Sequence, residues 1–510
     1  MNTKVIIACC FTLMLWNQAF ATTLKMAFDA DPISLDPHEH LSEGTLQFSH
    51  WAFDPLLRWD KRGELEPRLA TKWQRLDSHT MRFFLRENVR FHSGNAFTAN
   101  DVEYTIRRLK NSPDFRAMYD SIESTSVIDD YTIDIHTTTP TPLLLNIMTY
   151  VFPMDKRFYQ GRDQIIKHGS SFASQNVSGT GPFIIASRKL GNSMELVRTP
   201  YYWDKNSLGN VDRVVLTPIR ADSTRLAALL SGDVDFIFPI SPIDIARTKR
   251  TSGIQVATIP TTRVILLHMN QDRREEFKKL KVRQAINLAI NQKLIVEKIL
   301  KGYGTPAGQL TPDSFIGHLK DLEPNYDLQK ALQLMKEAGY EQGFRISMMA
   351  PNNRYLNDEK VAQAISAMLA RINIIVDLKT LPKAQYFKEL DNRSADIMML
   401  GWQSDTMDAN NTFEFVVACS DVNTGLGIYN ASAYCNTNID NKIQRANREM
   451  QPDQRRRLLQ EIEQTLYNEV PIIPLYWQAL TWAAKSNVKI QDIINNMNHP
   501  YLGDLVIEDK

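Results

Sequence analysis

Two short segments in the last third of the chain carry the side chains best suited to hold a charged solute. Asn352-Asn353-Arg354-Tyr355 sets a permanently charged fork beside an aromatic ring. About fifty residues later, Gly401-Trp402-Gln403-Ser404-Asp405 supplies a second ring and a carboxylate. Arg354 can donate two parallel hydrogen bonds to a carboxylate. Asp405 can accept from an ammonium, and Tyr355, Gly401 and Trp402 can wall what lies between. Asp408 is a further acidic candidate. A guanidinium and a carboxylate cost desolvation when buried unpaired, so a closing cleft lined by both points to a zwitterion. Each residue also has an ordinary reading: a solvated loop arginine, a turn aspartate, a core tryptophan whose indole N–H needs one partner.

The surrounding pattern predicts an α/β scaffold. Apolar residues at Val361, Ala364, Ile365, Met368, Leu369 and Ile372 recur at helical spacing, and they lead into strands at 374–378 and 396–400. Val282, Ala285, Ile286, Ala289 and Ile290 form another helix face, as do Leu328, Ala331, Leu332 and Met335 before Gly339. Earlier, strands are expected at 24–30, 81–86, 89–92 and 132–138 by alternation. Thr98-Ala99-Asn100-Asp101 reads as a capping box opening a helix with Val102, Ile106 and Leu109 on one face. Residues 211–219, 223–230 and 234–238 read as strand, helix and strand, with Gly232 closing the helix, so part of the sheet is expected to be parallel. The stretch 262–270 is read as a crossing into a second domain. Val470 to Tyr476, after a helix at about 453–468, is read as the return.

Residues 1–21 have the form of a secretory signal: Lys4 as the lone charge, an apolar run from Val5 to Trp16, and the small-x-small triplet Ala19-Phe20-Ala21. The run is short for a membrane span, which needs about 20 residues. Cys9 comes too early for a lipoprotein box. The whole chain has 59 Lys+Arg against 58 Asp+Glu, so loss of Lys4 leaves a balanced protein, without the basic excess that nucleic acid or polybasic membrane docking requires. Cys9 and Cys10 leave with the signal. Cys419 and Cys435 remain, close in sequence in a polar loop. In an exported chain they read as one disulfide, with two free thiols as the alternative. Two cysteines alone do not make a structural zinc site. A mature chain of about 490 residues exceeds one core, so two or three lobes are expected.

Enzyme motifs are absent. There is no Gly-x-Ser-x-Gly elbow and no His-Glu-x-x-His helix. Ser486-Asn487-Val488-Lys489 matches Ser-x-x-Lys but lacks its companion Lys-Thr-Gly and sits in an expected strand. Gly179-Thr180-Gly181-Pro182 lacks phosphate-loop spacing and reads as a tight turn. His38 and His40 would share a strand face, but two imidazoles are an incomplete metal site. No cofactor is expected. A secreted chaperone or adhesin is the remaining rival class, to be recognised by a large exposed apolar patch.

Taken in order, several pieces carry a resemblance. They are Leu35-Asp36-Pro37; Leu69-Ala70-x-Lys72-Trp73; Val89-Arg90-Phe91-His92-Ser93-Gly94 with Thr98 to Val102; Gly179 to Phe183; Tyr201-Tyr202-Trp203; Leu230 to Asp235; Val282 to Ile286; and Ala338-Gly339-Tyr340. Over nearly the whole mature chain the sequence resembles extracytoplasmic solute-binding proteins of the peptide/nickel class that serve ABC importers. The resemblance implies a two-lobed periplasmic binding fold with mixed sheets, a hinge, and an extra N-terminal subdomain. The implied division is 22–265 with 485–510 as domain I, about 44–168 as its inserted subdomain, and 266–484 as domain II. It implies an Arg354 clamp for the ligand carboxylate, Asp405 for its ammonium, and a loop disulfide at Cys419 and Cys435. The implied partners are a di- or oligopeptide and an inner-membrane permease, the binder itself being a monomer in the periplasm. Thr406-Met407-Asp408-Ala409-Asn410-Asn411 departs from the dipeptide-binder pattern. Similar frameworks take glutathione, nickel chelates, haem, sugars or opines.

Overall fold

Alternating apolar strands and amphipathic helices assemble here into one long mixed sheet, seen in a computed structural model that describes residues 21–166, 170–404 and 406–509. Apart from residue 21, the expected signal lies outside the described residues. The sheet has eleven strands. At its centre Thr23–Phe28 pairs in parallel with both Arg213–Pro218 and Phe236–Phe238. The helix Asp222–Ser231 connects the latter two and ends at Gly232 with φ +87°, giving the expected β-α-β unit. Ser193–Arg198 and Phe183–Lys189 extend this half. At the other end, Phe344–Pro351 lies parallel to Ile374–Leu381 and to Ile397–Trp402. These two halves of the sheet are the lobes, I and II. A four-stranded and a two-stranded sheet, both from the N-terminal third, stand beside lobe I.

Two strands run through both lobes. The outgoing strand Ile254–Met269 and the return strand Ile472–Lys485 pair antiparallel almost end to end. Their ladder slips between Pro260 and Val264 and again between Ile265 and Leu266. Such slips bend a strand and redirect its side chains, and here they release Thr261, Thr262 and Arg263 from regular pairing while keeping all three buried. The sequence reading at 262–270 and 470–476 falls on these two strands.

Lobe II is held by packing. Val361, Ile365, Met368 and Leu369 of helix Asp358–Ala370 join Val282, Ile286, Ala331, Met335, Ile346, Met348 and Ile397 in one buried cluster. Each fully buried aliphatic side chain is worth roughly 1.5–3 kcal/mol, so this stripe outweighs any helix preference of the segment. In lobe I, Asp101 Oδ2 accepts from the Thr98 backbone N–H at 2.8 Å, closing the expected capping box of helix Ala99–Leu109. A Cβ on Gly179 would meet Ala52 O at 2.0 Å, which is why the Gly-Thr-Gly segment is a close backbone approach. Cys419 and Cys435 form the expected disulfide.

Three local expectations are corrected. Residues 89–92 make only a bridge, Arg90 to Ala96, and no strand. The chain folds back on itself there, with Phe91 N–H donating to Asn95 O at 2.9 Å, while His92 N–H is taken by Gly179 O at 2.8 Å. Ser486 to Lys489 lies past the return strand, in a turn. His38 and His40 also lie in and beside a turn rather than on a strand. The buried His38 Nδ1 accepts from Arg108 at 3.1 Å, and Arg108 in turn grips the carboxylate of Asp36. His40 sits 3.0 Å from Glu39 and 3.7 Å from Asp114. Burial opposes its charge, but the bonds to Asp114 and Glu39 prevail and raise its pKa to about 9. Each imidazole therefore has a protein partner.

His268, on the outgoing strand, is the opposite case. It is fully buried, and among the described residues neither ring nitrogen has a hydrogen-bond partner. Burial, then the Arg393 charge, lowers its pKa from 6.5 to about 3. The folded chain refuses a proton that the unfolded chain accepts, so stability is full above pH 6.5 and is lost as pH falls from there toward 3. His268→Leu is expected to remove that loss, about 1 kcal/mol at pH 5.5 relative to pH 7.5. Urea unfolding of both proteins at the two pH values checks it. An equal acid loss in the two would show that His268 does not titrate this way.

Candidate functional site

The Arg354 loop joins strand Phe344–Pro351 to helix Asp358–Ala370 and is fixed by its backbone. The Arg354 and Tyr355 N–H groups donate to Asp358 Oδ2 at 2.9 and 3.0 Å. Lys383 N–H donates to Asn353 Oδ1 at 2.7 Å. Asn357 takes a left-handed conformation, φ +53°, and its side chain donates to Ile299 O at 3.0 Å. Burial raises the Asp358 pKa to about 6 despite the three backbone N–H bonds it accepts. The Arg354 side chain is thereby carried half-buried, its guanidinium 5.3 Å from the Tyr355 ring centre.

Tyr355 ties this loop to the second candidate segment. Its hydroxyl accepts the Gly401 N–H at 2.8 Å. Burial pushes its pKa up, while the nearby Arg354 and Arg263 charges oppose that rise. Both positive charges thus act on the Tyr355 phenol. Arg263 comes from the slipped part of the outgoing strand, next to Val264, which pairs with Trp402 and Trp477. The sequence reading missed Arg263 and Asp358. A signal for the first was present: Arg263 is the lone charge in the apolar run from Ile254 to Met269.

Gly401 is required by packing. A Cβ there would sit 2.5 Å from Tyr355 Cε1 and 2.7 Å from Ile265 Cδ1. Gly401→Ala is expected to push the tyrosine off its bond and to cost about 1–3 kcal/mol in chemical unfolding. Wild-type stability in that variant would mean the ring moves without penalty.

Trp402 faces inward. Its indole N–H donates to Asn411 Oδ1 at 3.1 Å, and its ring stacks on Phe415 at 5.6 Å and leans on Tyr429 at 5.0 Å. Asp405 lies outside the described residues. Asp408 is engaged within lobe II: Arg455 donates to its two oxygens at 2.6 Å each, and Oδ1 also accepts the Asn410 N–H at 2.9 Å. Of the described candidates, Arg354, Tyr355 and Gly401 come together, Trp402 packs behind them, and Asp408 is held away by its own partner.

The chain that follows Gly401 and Trp402 meets residues of the N-terminal and C-terminal segments. Asn146 Nδ2 donates to Thr406 O at 2.8 Å, and Arg116 donates to Val422 O. Gln403 Nε2 lies 3.6 Å from Met497 Sδ. A separate open cleft of about 560 Å³, lined by Lys278, Arg283, Tyr434, Cys435 and Glu469, contains none of the candidate ligand-binding residues. Its groups are mutually engaged: Tyr434 donates to Glu469 at 2.6 Å, and Arg283 to the Glu469 carbonyl at 2.8 Å.

A chain with this long mixed sheet and these flanking sheets has counterparts. Residues 64–424 match the family model described as bacterial extracellular solute-binding proteins, family 5, middle region. The chain belongs to this family. The glutathione-binding protein GsiB of Salmonella paratyphi A is 26% identical over 479 residues, covering 92% of this chain and 91% of that protein. Among solved structures, the periplasmic binding protein DppA of Helicobacter pylori, in complex with the peptide STSA, superposes with TM-score 0.84 at 24% identity. The alignment covers 96% of this chain and 98% of that one. The dipeptide-binding protein of Pseudoalteromonas sp. SM9913, in complex with Met-Leu, gives TM-score 0.86 at 21% identity, covering 96% and 100%. These likenesses place the fold among two-lobed periplasmic binding proteins. As a family 5 member, the chain is a solute-binding component of an ABC importer and not an enzyme.

Proposed function

We propose that this family 5 protein captures a small peptide-like solute bearing a free carboxylate, working as a monomer in the periplasm, and delivers it to an inner-membrane permease. The observation that carries this reading is the Arg354 loop: a half-buried guanidinium on a backbone-anchored turn, tied through Tyr355 to Gly401, shortly before the chain at Gln403 and Thr406 that meets Met497 and Asn146. Closure there removes water and strengthens any charge contact made inside. Arg354 would hold the solute carboxylate and Asp405 its ammonium. The moving bodies would be 22–265 with 485–510, carrying the inserted 44–168, and 266–484. The slipped ladder at 260–266 would serve as the bend. Relatives named for glutathione, and folds solved with a tetrapeptide and a dipeptide, support a peptide-like ligand.

The test is mass spectrometry of solute co-purified with the protein, followed by calorimetric titration of dipeptides, tripeptides and glutathione. Binding of at least one is expected. Tight binding of an oligosaccharide or metal chelate, with none of the peptides bound, would remove the peptide claim.

A further inference from the structure

Cys419 and Cys435 are held together twice. One tie is their disulfide. The other is the side-chain amide of Asn430, which is only 1% exposed and so works shielded from water. Its Nδ2 donates to Ala418 O at 2.9 Å and to Tyr434 O at 2.8 Å, the carbonyls directly before the two cysteines, with Val417 O at 3.1 Å. Its Oδ1 accepts from the Ser432 N–H at 3.1 Å and from the Ser432 hydroxyl at 2.6 Å. Asp440, in the first turn of helix Thr437–Ala446, completes the group: its Oδ1 accepts the Cys419 N–H at 3.2 Å. None of these bonds involves sulfur. Opening the S–S bond therefore leaves both cysteines in place beside one carboxylate.

The two sulfurs and an Asp440 oxygen lie within 4.8 Å of one another. Zinc–thiolate bonds of about 2.3 Å and zinc–carboxylate bonds of about 2.0–2.2 Å set the ligand atoms of one tetrahedral site roughly 3.5–4 Å apart. Side-chain rotation covers the difference. Two thiolates and a carboxylate leave the fourth position to water. The way in is open as well: Cys435 is exposed and lines the cleft of about 560 Å³ beside Tyr434.

We propose that Cys419 and Cys435, once reduced by a dithiol, join Asp440 in binding a thiophilic divalent cation of the zinc type, with the disulfide as the closed state of that site. The dithiol gives up two electrons and two protons: it becomes a disulfide as the Cys419–Cys435 bond becomes two thiols. The cation then displaces both thiol protons to solvent and forms two metal–sulfur bonds and one bond to the carboxylate. The oxidised chain offers no thiolate and does not bind there. This site shares no residue with the Arg354 group and does not depend on the identity of the solute.

Co²⁺ is the probe, titrated without oxygen into the full-length mature protein after reduction with a phosphine and its removal. A thiolate-to-cobalt absorption band is expected, saturating at one ion per chain, displaced by Zn²⁺ and absent from the oxidised protein. Even an outer-shell partner is worth about 10–100-fold in metal affinity, so Asp440→Asn should bind Co²⁺ at least about tenfold more weakly while keeping the band. The double variant Cys419→Ser, Cys435→Ser should lose the band. Circular dichroism of the reduced wild type should match that of the oxidised protein, because the Asn430 bonds remain. A reduced chain that unfolds, or that folds and shows no band, would overturn the site. So would Co²⁺ binding of equal strength in the oxidised protein or the double serine variant, which would mark an adventitious ion only. Wild-type affinity in Asp440→Asn would take the carboxylate, and with it the three-ligand site, out of the proposal.

Discussion

Asp408→Ala is expected to lower the unfolding free energy by about 3–5 kcal/mol, the cost of leaving one member of a buried ion pair alone. Asp408 and Arg455 are almost fully buried, with side-chain exposures of 6% and 5%. The guanidinium meets both carboxylate oxygens at 2.6 Å and spends Nε on the Ala446 carbonyl at 3.0 Å. In the alanine variant that cation stays buried with one backbone acceptor. The loss also frees the Asn410 N–H at the start of helix Ala409–Thr412, so the segment that follows Trp402 loosens. The double variant Asp408→Ala, Arg455→Met should recover much of the stability, because an apolar pair needs no charge compensation. Urea unfolding of the four proteins gives the coupling directly. Solute affinity of Asp408→Ala, measured below its unfolding range, should stay near wild type. A large affinity loss with little stability loss would instead place Asp408 on the ligand.

Residue type alone could not separate Asp408 from a ligand contact. Its partner lies on helix Pro452–Glu469, forty-seven residues away, and nothing in the local pattern pairs them. The same holds for Trp402. An aromatic next to a glycine suggests a pocket wall, yet its indole N–H is taken by Asn411 and its face by Phe415. Gly401 was legible as special but for a different reason: it leaves room for the Tyr355 ring. The helices of lobe II were plain in the sequence, because a 3.6-residue stripe such as Val361–Ile372 encodes its own burial. The joining strands were legible only in part. A strand that crosses from one lobe to the other reads as two short runs, and the slip at 260–266 that exposes Arg263 to Tyr355 is a product of pairing between segments more than two hundred residues apart. The segment 89–92 shows the limit of alternation: Val89 and Phe91 are buried as expected, but a turn at Gly94 with φ +91° ends the ladder before it forms.

Arg354→Ala is expected to weaken a carboxylate-bearing solute by about 2–5 kcal/mol, which is at least thirtyfold in Kd, if the lobes close over the pair. The variant suits the question because hydrogen bonds that do not involve the Arg354 side chain anchor the turn. The turn is held by backbone N–H groups on Asp358, by Asn353 on Lys383 and by Asn357 on Ile299, all of which survive the substitution. Melting temperature without solute should therefore change little while affinity falls. Arg354→Lys separates charge from shape. It keeps the cation but loses the planar fork, so it should fall between wild type and alanine. A solute amide in place of the terminal carboxylate should bind wild type about as poorly as the free acid binds Arg354→Ala, and should lose little more in the variant. Non-additivity of that kind identifies the pair itself. Equal affinity of wild type and Arg354→Ala for the same carboxylate-bearing peptide would remove Arg354 from the site. Arg263, the other cation acting on Tyr355, would then become the first residue to replace.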